Sequence, residues 1–238
     1  MPMLELLKNK RILVVVAHPD DELLGLGGTL NKIVNDYNTF IRVVILGEGL
    51  TSRSDERDTK KWNKELEKHR SNIKMAQKTI GYQELSVHQI ADNRFDSIDL
   101  LDIVKLIEKE KAEFIPDYIF THHGGDVNID HQRTFEAVIT AIRPMEHETT
   151  KGIFSFETPS GTEWRASTDP HHFIPNIFVE LSEENVQAKI KGMECYEFEK
   201  RAYPHPRSPE ALHIVSKKNG IQVGFHLAEA FMLVRLKS

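Results

Sequence analysis

The sequence has 238 residues, enough for one substantial hydrophobic core, and α/β chains of this length commonly remain single domains. Asp and Glu outnumber Lys and Arg by 36 to 31, which gives a net charge of −5 with both signs mixed along the chain. No basic field exists to attract nucleic acid, so a nucleic-acid partner is not expected. No segment approaches the roughly 18 consecutive apolar residues of a membrane span, so we expect no integral membrane segment.

A single cysteine, Cys195, permits no internal disulfide and no cysteine-based zinc site. Residues 1–10 contain no apolar core of signal-peptide length, and we therefore expect a cytoplasmic protein. No repeat, low-complexity tract or linker divides the sequence. Residues 1–238 are predicted to form one domain, and a homo-oligomer is left open.

The first strong pattern is a continuous apolar run over residues 12–17 that ends on His18. Such a run is typical of a central parallel strand buried on both faces. Pro19, Asp20, Asp21 and Glu22 follow at once, and apolar residues at helical spacing come next. The polar residues therefore occupy a turn at the carboxyl end of a strand, where open α/β sheets bind ligands. Helix capping would explain the carboxylates, but it does not require the imidazole.

Strands and helices then alternate along the chain. Further strands are predicted at 40–46, 84–88, 118–121, 152–156 and 177–181, and helices at 23–34, 60–80, from 98 toward Pro116, at 135–142 and at 182–200. Gly81 is the expected stop of the second helix, and Asp96 or Ser97 the expected cap of the third. The alternation predicts an α/β fold, a Rossmann-like and mostly parallel sheet flanked by helices, with an irregular C-terminal extension.

The fourth predicted strand also ends on polar residues, because His122 and His123 follow it and His131 opens the next helix. The carboxyl ends of parallel strands lie at one edge of a sheet, so His131 is expected close to His18 and Asp21. Two histidines and one aspartate, with an open position for water, are the ligands of a catalytic zinc site.

The carboxylate of Asp20 remains free to act as a general base beside this metal site. Its neighbours in the two motifs have simpler structural alternatives. His122 and His123 could cap the strand or hydrogen-bond the backbone, Asp126 and Asn128 suit turns, and Asp130 could be the N-cap of the helix.

Both motifs resemble those of one known family. Residues 17–22, Ala-His-Pro-Asp-Asp-Glu, and the later Asp126-x-Asn128-x-Asp130-His131 resemble the LmbE-like, PIG-L family of metal-dependent N-deacetylases. Weaker similarities to one branch extend along most of the chain, at Arg70 with Ala76 and Gly81, at 92–96, 156–160 and 175–176, and at 205–208.

The resemblance implies a Rossmann-like fold, one Zn²⁺ or another divalent metal per chain, and removal of an acetyl group from an N-acetylated amino sugar. It implies His18, Asp21 and His131 as metal ligands and Asp20 as the general base. Several branches of the family have a second histidine where this chain has Asn128. An asparagine donates hydrogen bonds but carries no positive charge, so Asn128 is predicted to stabilise the oxyanion without donating a proton.

Substrate contacts are expected from loops at the same edge of the sheet. The candidates for binding sugar hydroxyls, a phosphate or a sugar ring, or for compensating the asparagine, are Arg53, Asp92, Arg94, His123 and Trp164. The last of these lies in residues 157–176, and irregular segments of that length are more often functional than idle. His205 and Arg207 are also suited to an anion. The alternative for each is a solvated loop residue.

The predicted reaction is hydrolysis of an amide bond by metal-activated water, with Asp20 taking the proton and returning it to the departing amine. Two other classes stay open. A metal-dependent phosphoesterase would usually need a second metal, for which Asp126, Asp130, His122 and His123 are surplus ligands. A non-catalytic carbohydrate-binding relative would have no use for a base beside the metal.

Overall fold

The computed structural model describes residues 3–53 and 57–237. Its strands are β1 (Arg11–Val16), β2 (Phe40–Gly47), β3 (Glu84–Ile90), β4 (Tyr118–His122), β5 (Gly152–Phe156), β6 (Ile177–Glu180) and β7 (Ala228–Leu236). Its α-helices are α1 (Met3–Leu7), α2 (Asp21–Asp36), α3 (Asn63–Ile80), α4 (Leu100–Phe114), α5 (Ile129–Ala141), α6 (Glu183–Cys195) and α7 (Pro209–Ile221). Within the described ranges, no helix has the length and apolar character needed to cross a membrane.

The seven strands form one sheet in the order β3-β2-β1-β4-β5-β7-β6. Strands β3, β2, β1, β4 and β5 are parallel, and β7 runs antiparallel to both of its neighbours. The chain order reverses between β1 and β4, which makes the crevice beyond these two strands the topological switch point of the sheet. The predicted α/β fold class is confirmed.

The apolar sequence of strand β1 is explained by the burial of both of its faces. Ile12, Val14 and Val16 belong to one hydrophobic core, which α2 and α6 help to form. The alternate side chains, including Leu13 and Val15, belong to a second core shared with α4 and α5. Side chains alternate between the faces of a strand, so burial of both faces requires an unbroken apolar run.

The predicted end of α3 is observed, whereas the predicted N-caps of α4 and α5 differ from those observed. Gly81 ends α3 in the left-handed region at φ 101°, as expected. The cap of α4 is Asp99 rather than Asp96 or Ser97, because Phe95–Ser97 forms a short 3₁₀ turn. The cap of α5 is Asn128, whose side-chain oxygen accepts the N–H of Asp130 at 2.8 Å.

The C-terminal part is regular, whereas the sequence predicted an irregular extension. Ser208 caps α7 by accepting the N–H of Ala211 at 3.2 Å, and Pro209 occupies the first turn. Strand β7 then inserts between β5 and β6, with Phe231 opposite both Phe156 and Ile177. Strand β7 is therefore an interior strand of the sheet, paired with β5 on one side and β6 on the other.

Helix α2 contains a kink directly after the motif of residues 17–22. Leu26 has non-helical dihedral angles, φ −146° and ψ 19°. The N–H groups of Gly28 and Thr29 donate to the Glu229 carboxylate at 3.0 and 2.7 Å. Lys189 donates to the same carboxylate at 2.8 Å, and both members of this ion pair are buried. A side-chain pair from α6 and β7 therefore stabilises the kink.

Candidate functional site

Three side chains from the two strand ends at the switch point meet in a buried cluster. His18 follows β1, Asp21 opens α2 and His131 lies in the first turn of α5. One ligand atom from each lies within 4.8 Å of the others. Asp21 Oδ2 is 3.4 Å from both His18 Nδ1 and His131 Nε2. The sequence-predicted ligands are thus close neighbours.

The composition and hydrogen bonding of this cluster fit a divalent metal. Asp21 Oδ1 is buried and has no hydrogen-bond partner among the residues that the structure describes. A buried carboxylate oxygen without a partner costs free energy unless a cation compensates it. Two imidazole nitrogens and a carboxylate form a donor set that suits zinc and related transition metals. His18, Asp21 and His131 would be the residues that hold the metal.

A second carboxylate faces the far nitrogen of each histidine. His18 Nε2 lies 2.8 Å from Asp130 Oδ2, and His131 Nδ1 lies 3.1 Å from Asp126 Oδ2. Asp130 also accepts two backbone N–H groups from the loop after β3, at 2.6 and 2.9 Å. Carboxylate–histidine pairs of this kind fix the tautomer and orientation of a metal-binding imidazole.

The ionisation of the cluster reflects competition between burial and charge. Burial opposes the charge of His131, but the Asp21 and Asp126 carboxylates raise its pKa to about 9. Burial likewise opposes ionisation of Asp21, yet His131 and His122 hold its pKa well below the usual range. Opposite charges within a few ångströms outweigh desolvation here.

His122 lies against the cluster but has other partners. Its Nε2 accepts the N–H of Ala17 at 2.9 Å, and its Nδ1 lies 3.0 Å from Thr158 Oγ1. Burial and the nearby His131 lower its pKa to about 4, and the two rings stack at 3.9 Å. The alternative in which this histidine hydrogen-bonds the backbone is the one observed.

Asp20 is held in an unusual conformation immediately before the candidate ligand Asp21. Its φ of 105° lies in the left-handed region, which only Gly, Asn and Asp adopt with ease, and its side chain is buried. Its Oδ2 accepts an N–H from Arg207 Nη1 at 2.8 Å. Burial raises the pKa of Asp20 well above its usual value, and Arg207 opposes that rise.

Arg207 was predicted only as a residue suited to an anion, and its contact with Asp20 was not foreseen. Besides Asp20, its guanidinium donates to Ser160 Oγ at 2.7 Å and to Glu199 Oε2 at 3.0 Å. Arg53, predicted to bind substrate, also pairs with Glu199. The guanidinium of Arg207 therefore joins three loops around Asp20. The local sequence could not identify this partner, because Asp20 and Arg207 are 187 positions apart.

Two other predicted residues lie beside the cluster. Asp92 Oδ1 is 3.2 Å from His18 Nε2, and Asp92 Oδ2 accepts the hydroxyl of Ser52 at 2.6 Å. The Asn128 amide nitrogen donates to Asn93 Oδ1 at 3.1 Å, while its oxygen caps α5. One N–H of the Asn128 amide is therefore used by Asn93, and the second has no partner among the described residues.

The remaining predicted substrate residues differ in their surroundings. His123 Nε2 lies 2.7 Å from the carbonyl oxygen of His171, so this ring holds the 157–176 segment. Trp164 is 58% exposed, and Arg94 is exposed with no side-chain partner among the described residues. Arg94 and Trp164 are therefore free to contact a ligand, whereas His123 is already engaged.

The fold and this cluster define a class of protein, a Rossmann-like α/β protein with two histidines and one carboxylate at the switch point. Metal-dependent hydrolases use ligand sets of this kind. The family model of PIG-L, described as GlcNAc-PI de-N-acetylase, matches residues 13–142. The chain belongs to the PIG-L family of de-N-acetylases, which confirms the predicted family and enzyme class.

Individual proteins and solved structures are also similar to this chain, at low sequence identity. The chain is 27% identical to the "Uncharacterized deacetylase YaiS" of Escherichia coli (strain K12) over 191 residues, 78% of this chain and 90% of the relative. The structure resembles N,N'-diacetylchitobiose deacetylase from Pyrococcus horikoshii with a TM-score of 0.70 and 17% identity, covering 98% of this chain and 88% of that one. It also resembles GalB, the 4-carboxy-2-hydroxymuconate hydratase from Pseudomonas putida KT2440, with a TM-score of 0.71 and 18% identity, covering 96% and 98%. At these identities, the structural likenesses show the fold alone.

Proposed function

We propose that this chain is a zinc-dependent hydrolase that removes the acetyl group from an N-acetylglucosamine-type amino sugar or its conjugate. The observation that carries the proposal is the buried Asp20 carboxylate, held by Arg207 immediately beside the ligand Asp21. The family description and the chitobiose deacetylase both support an N-acetylated amino sugar as the substrate class. A protein that only binds carbohydrate needs no such base.

The reaction divides between the metal and the side chains around it. When bound by His18, Asp21 and His131, a divalent metal supplies Lewis acidity, which polarises a carbonyl group and lowers the pKa of water. Asp20 accepts the proton of the attacking water and later gives it to the departing amine nitrogen. The Arg207 contact fixes the Oδ2 atom of Asp20. Proton transfer is therefore assigned to Oδ1.

The oxyanion and the sugar require further hydrogen-bond donors. The free N–H of the Asn128 amide is assigned to the oxyanion, because it is a donor beside the cluster. Asp92 and Arg94 lie in the same loop and are assigned to sugar hydroxyls, and the exposed indole of Trp164 to the face of a sugar ring.

The phosphoesterase alternative lacks a convincing second metal site in the described part of the chain. A second group of possible ligands, His18, Asp92 and Asp130, lies beside the first. Asp130 already accepts two backbone N–H groups, and its contact with His18 orients that ring. This group therefore supports one metal rather than binding another, and we propose one zinc per chain.

We also propose that residues 1–238 form one domain in the cytoplasm. Strands β6 and β7, from the C-terminal part, belong to the same sheet as β1. The lone Cys195 suits a reducing compartment, where disulfides are rare.

Replacement of the base tests the proposed chemistry. In an Asp20→Asn variant, asparagine tolerates the left-handed backbone and still accepts the Arg207 hydrogen bond, so the fold should be retained. Acetate release should fall by about 10²–10⁴-fold, the usual contribution of general acid–base catalysis. Zinc content, measured by atomic emission, should stay at one per chain. A variant that retains its zinc and hydrolyses substrate as fast as the parent would overturn the assignment of Asp20.

The substrate class is tested separately on the zinc-loaded parent protein. Acetate release is measured with N-acetylglucosamine, N,N'-diacetylchitobiose and UDP-N-acetylglucosamine, and p-nitrophenyl phosphate serves as the phosphoester control. Hydrolysis of at least one N-acetyl sugar is expected, with no phosphate release. Phosphate release without acetate release would contradict the proposed reaction.

A further inference from the structure

A groove of about 680 Å³ lies between helix α3 and the edge strand β3. We call it the α3–β3 groove. Helix α3 packs against α6, which leaves this side of the edge strand open. Its apolar side chains are Leu66, Ile73, Leu85 and Val87. Its volume is that of an ordinary small-molecule site, on the order of 300–1,000 Å³.

Cationic side chains line the same groove. They are Arg57, Lys60, Arg70 and Lys74. Arg57 is neutralised by Glu48, at 2.9 and 3.0 Å. The side chains of the other three have no hydrogen-bond or ion-pair partner in residues 3–53 and 57–237, so the groove carries uncompensated positive charge.

The charge of this region runs against that of the whole chain. Among the described residues that line the groove, four Lys and Arg residues face one carboxylate, Glu48, which gives a net charge of +3, whereas the chain has a net charge of −5. Like charges concentrated along a concave surface produce a local positive potential that attracts anions. A negatively charged ligand would be drawn to the α3–β3 groove rather than to the remainder of the surface.

The groove is distinct from the metal cluster but close to it. None of the residues that line the groove belongs to the metal cluster. The backbone of Gly49, at φ 79°, packs between Pro19, which follows His18 in the chain, and His69, which lines the groove: a Cβ there would lie 2.6 Å from Pro19 Cδ and 3.2 Å from His69 Nε2.

We propose that the α3–β3 groove is a binding site for an organic anion, a molecule with an apolar body and a phosphate, sulfonate or carboxylate group. The apolar body packs on Leu66, Ile73, Leu85 and Val87, and the anionic group pairs with Lys60, Arg70 and Lys74. The apolar side chains distinguish this site from one for free phosphate. The proposal is independent of the reaction at the metal.

The test uses two fluorescent probes that differ in charge. One is 8-anilinonaphthalene-1-sulfonate, which has an aromatic body and one anionic group, and the other is the uncharged N-phenyl-1-naphthylamine. Both are titrated into the full-length chain at 150 mM salt. The sulfonate probe should saturate at one site per chain and bind more tightly than the neutral probe, because only it can pair with the cations.

Two pairs of charge reversals locate that site. Arg70→Glu with Lys74→Glu changes the groove, and Lys64→Glu with Lys78→Glu makes the same change in net charge on exposed positions of α3 outside it. The groove pair should weaken sulfonate binding by about tenfold or more, and the control pair by less than about twofold. Circular dichroism and the unfolding temperature confirm that each variant is folded. Equal losses in the two pairs, or equal affinity of the parent for both probes, would overturn the proposal.

Discussion

The proposed base depends on a contact from the far end of the chain. Arg207 binds one oxygen of Asp20, while Glu199 and Ser160 bind the guanidinium and fix its plane. A planar guanidinium can hold three acceptors in set directions, which a lysine ammonium cannot reproduce with the same geometry. Arg207 therefore acts as a positioning residue for Asp20 in the proposed reaction.

Substitution of Arg207 should lower turnover more than it affects substrate binding or metal content. In Arg207→Ala, kcat should fall by at least about tenfold, because hydrogen bonds to charged groups contribute about 1.5–3 kcal/mol. Arg207→Lys should recover part of the loss, since it restores the charge, and millimolar guanidinium ion should partly rescue Arg207→Ala.

The matched control is Arg201→Met, on the same loop. Arg201 donates to the carbonyl oxygens of Phe198 and Lys200, lies 3.6 Å from Glu199 Oε2, and has no contact with Asp20 among the described residues. Its kcat should stay within about twofold of the parent value, as is usual for exposed side chains with small contributions. An Arg207→Ala variant with unchanged kcat would contradict the positioning role.

At the scale of elements, the kink in α2 connects the candidate metal site to the C-terminal half. The kink frees the N–H groups of Gly28 and Thr29, and Glu229 accepts both. Lys189 donates to the carbonyl oxygen of Leu24 on the other side of the kink and to Glu229. The buried pair therefore satisfies backbone groups on both sides of Leu26 and fixes the helical turn that carries Asp21.

Removal of one partner of the Lys189–Glu229 pair should be strongly destabilising, because the remaining charge would be buried without compensation. Glu229→Gln leaves a buried lysine unpaired, and removal of one partner of a buried ion pair costs about 3–5 kcal/mol. The double variant Lys189→Met, Glu229→Gln should lose less free energy of unfolding than the single variant, because no unpaired charge remains. Urea unfolding at neutral pH measures the free energy of unfolding of both variants.

The control for these two variants is an ion pair near the surface. Lys151 and Asp117 lie 3.1 Å apart at side-chain exposures of 46% and 24%. Lys151→Met should cost less than about 1 kcal/mol, the usual range for pairs near the surface. A double variant at positions 189 and 229 that is less stable than Glu229→Gln would show that the charge pair is not the source of the effect.

The elements that the sequence predicted well are those with local signals. Strand β1 has an unbroken apolar run, and α3 ends at a glycine in the left-handed conformation, so each could be read from a few adjacent residues. Helix α7 also carries such a signal, Ser208-Pro209-Glu210, which the sequence analysis overlooked. The kink in α2 has a local signal in the glycines at 25, 27 and 28 that flank Leu26, but the pair that satisfies its backbone, Lys189 and Glu229, lies more than 160 positions away and could not be predicted from the local sequence.

Over the whole molecule, the site is divided between the two parts of the chain. The candidate ligands and the base lie within residues 13–142, the range that matches the family model, and their motifs made them predictable. Arg207, Glu199 and the pair at the α2 kink come from residues after 180, where contacts are long-range and the sequence motif is weak. In the proposed reaction, the N-terminal part thus supplies the candidate ligands and the base, and the C-terminal part fixes their geometry.

Because the cluster is built from elements on both sides of the switch point, metal binding should stabilise the entire fold. A metal at 100 times its dissociation constant stabilises a protein by about 2.7 kcal/mol, which corresponds to about 5–11 °C in Tm for a chain of this length. Removal of the metal by EDTA should lower Tm by that amount, and added Zn²⁺ should restore it, as measured by scanning calorimetry.

Two variants separate metal ligation from catalysis in this measurement. Asp20→Asn should retain the full shift in Tm on addition of Zn²⁺, because Asp20 is proposed to move protons rather than to bind the metal. His131→Gln should lose the shift, because it removes one of the three candidate ligand atoms while keeping an amide that can hydrogen-bond Asp126. The opposite pattern, a shift lost with Asp20→Asn and kept with His131→Gln, would reverse the two assignments: residue 20 would ligate the metal, and His131 would act only in support.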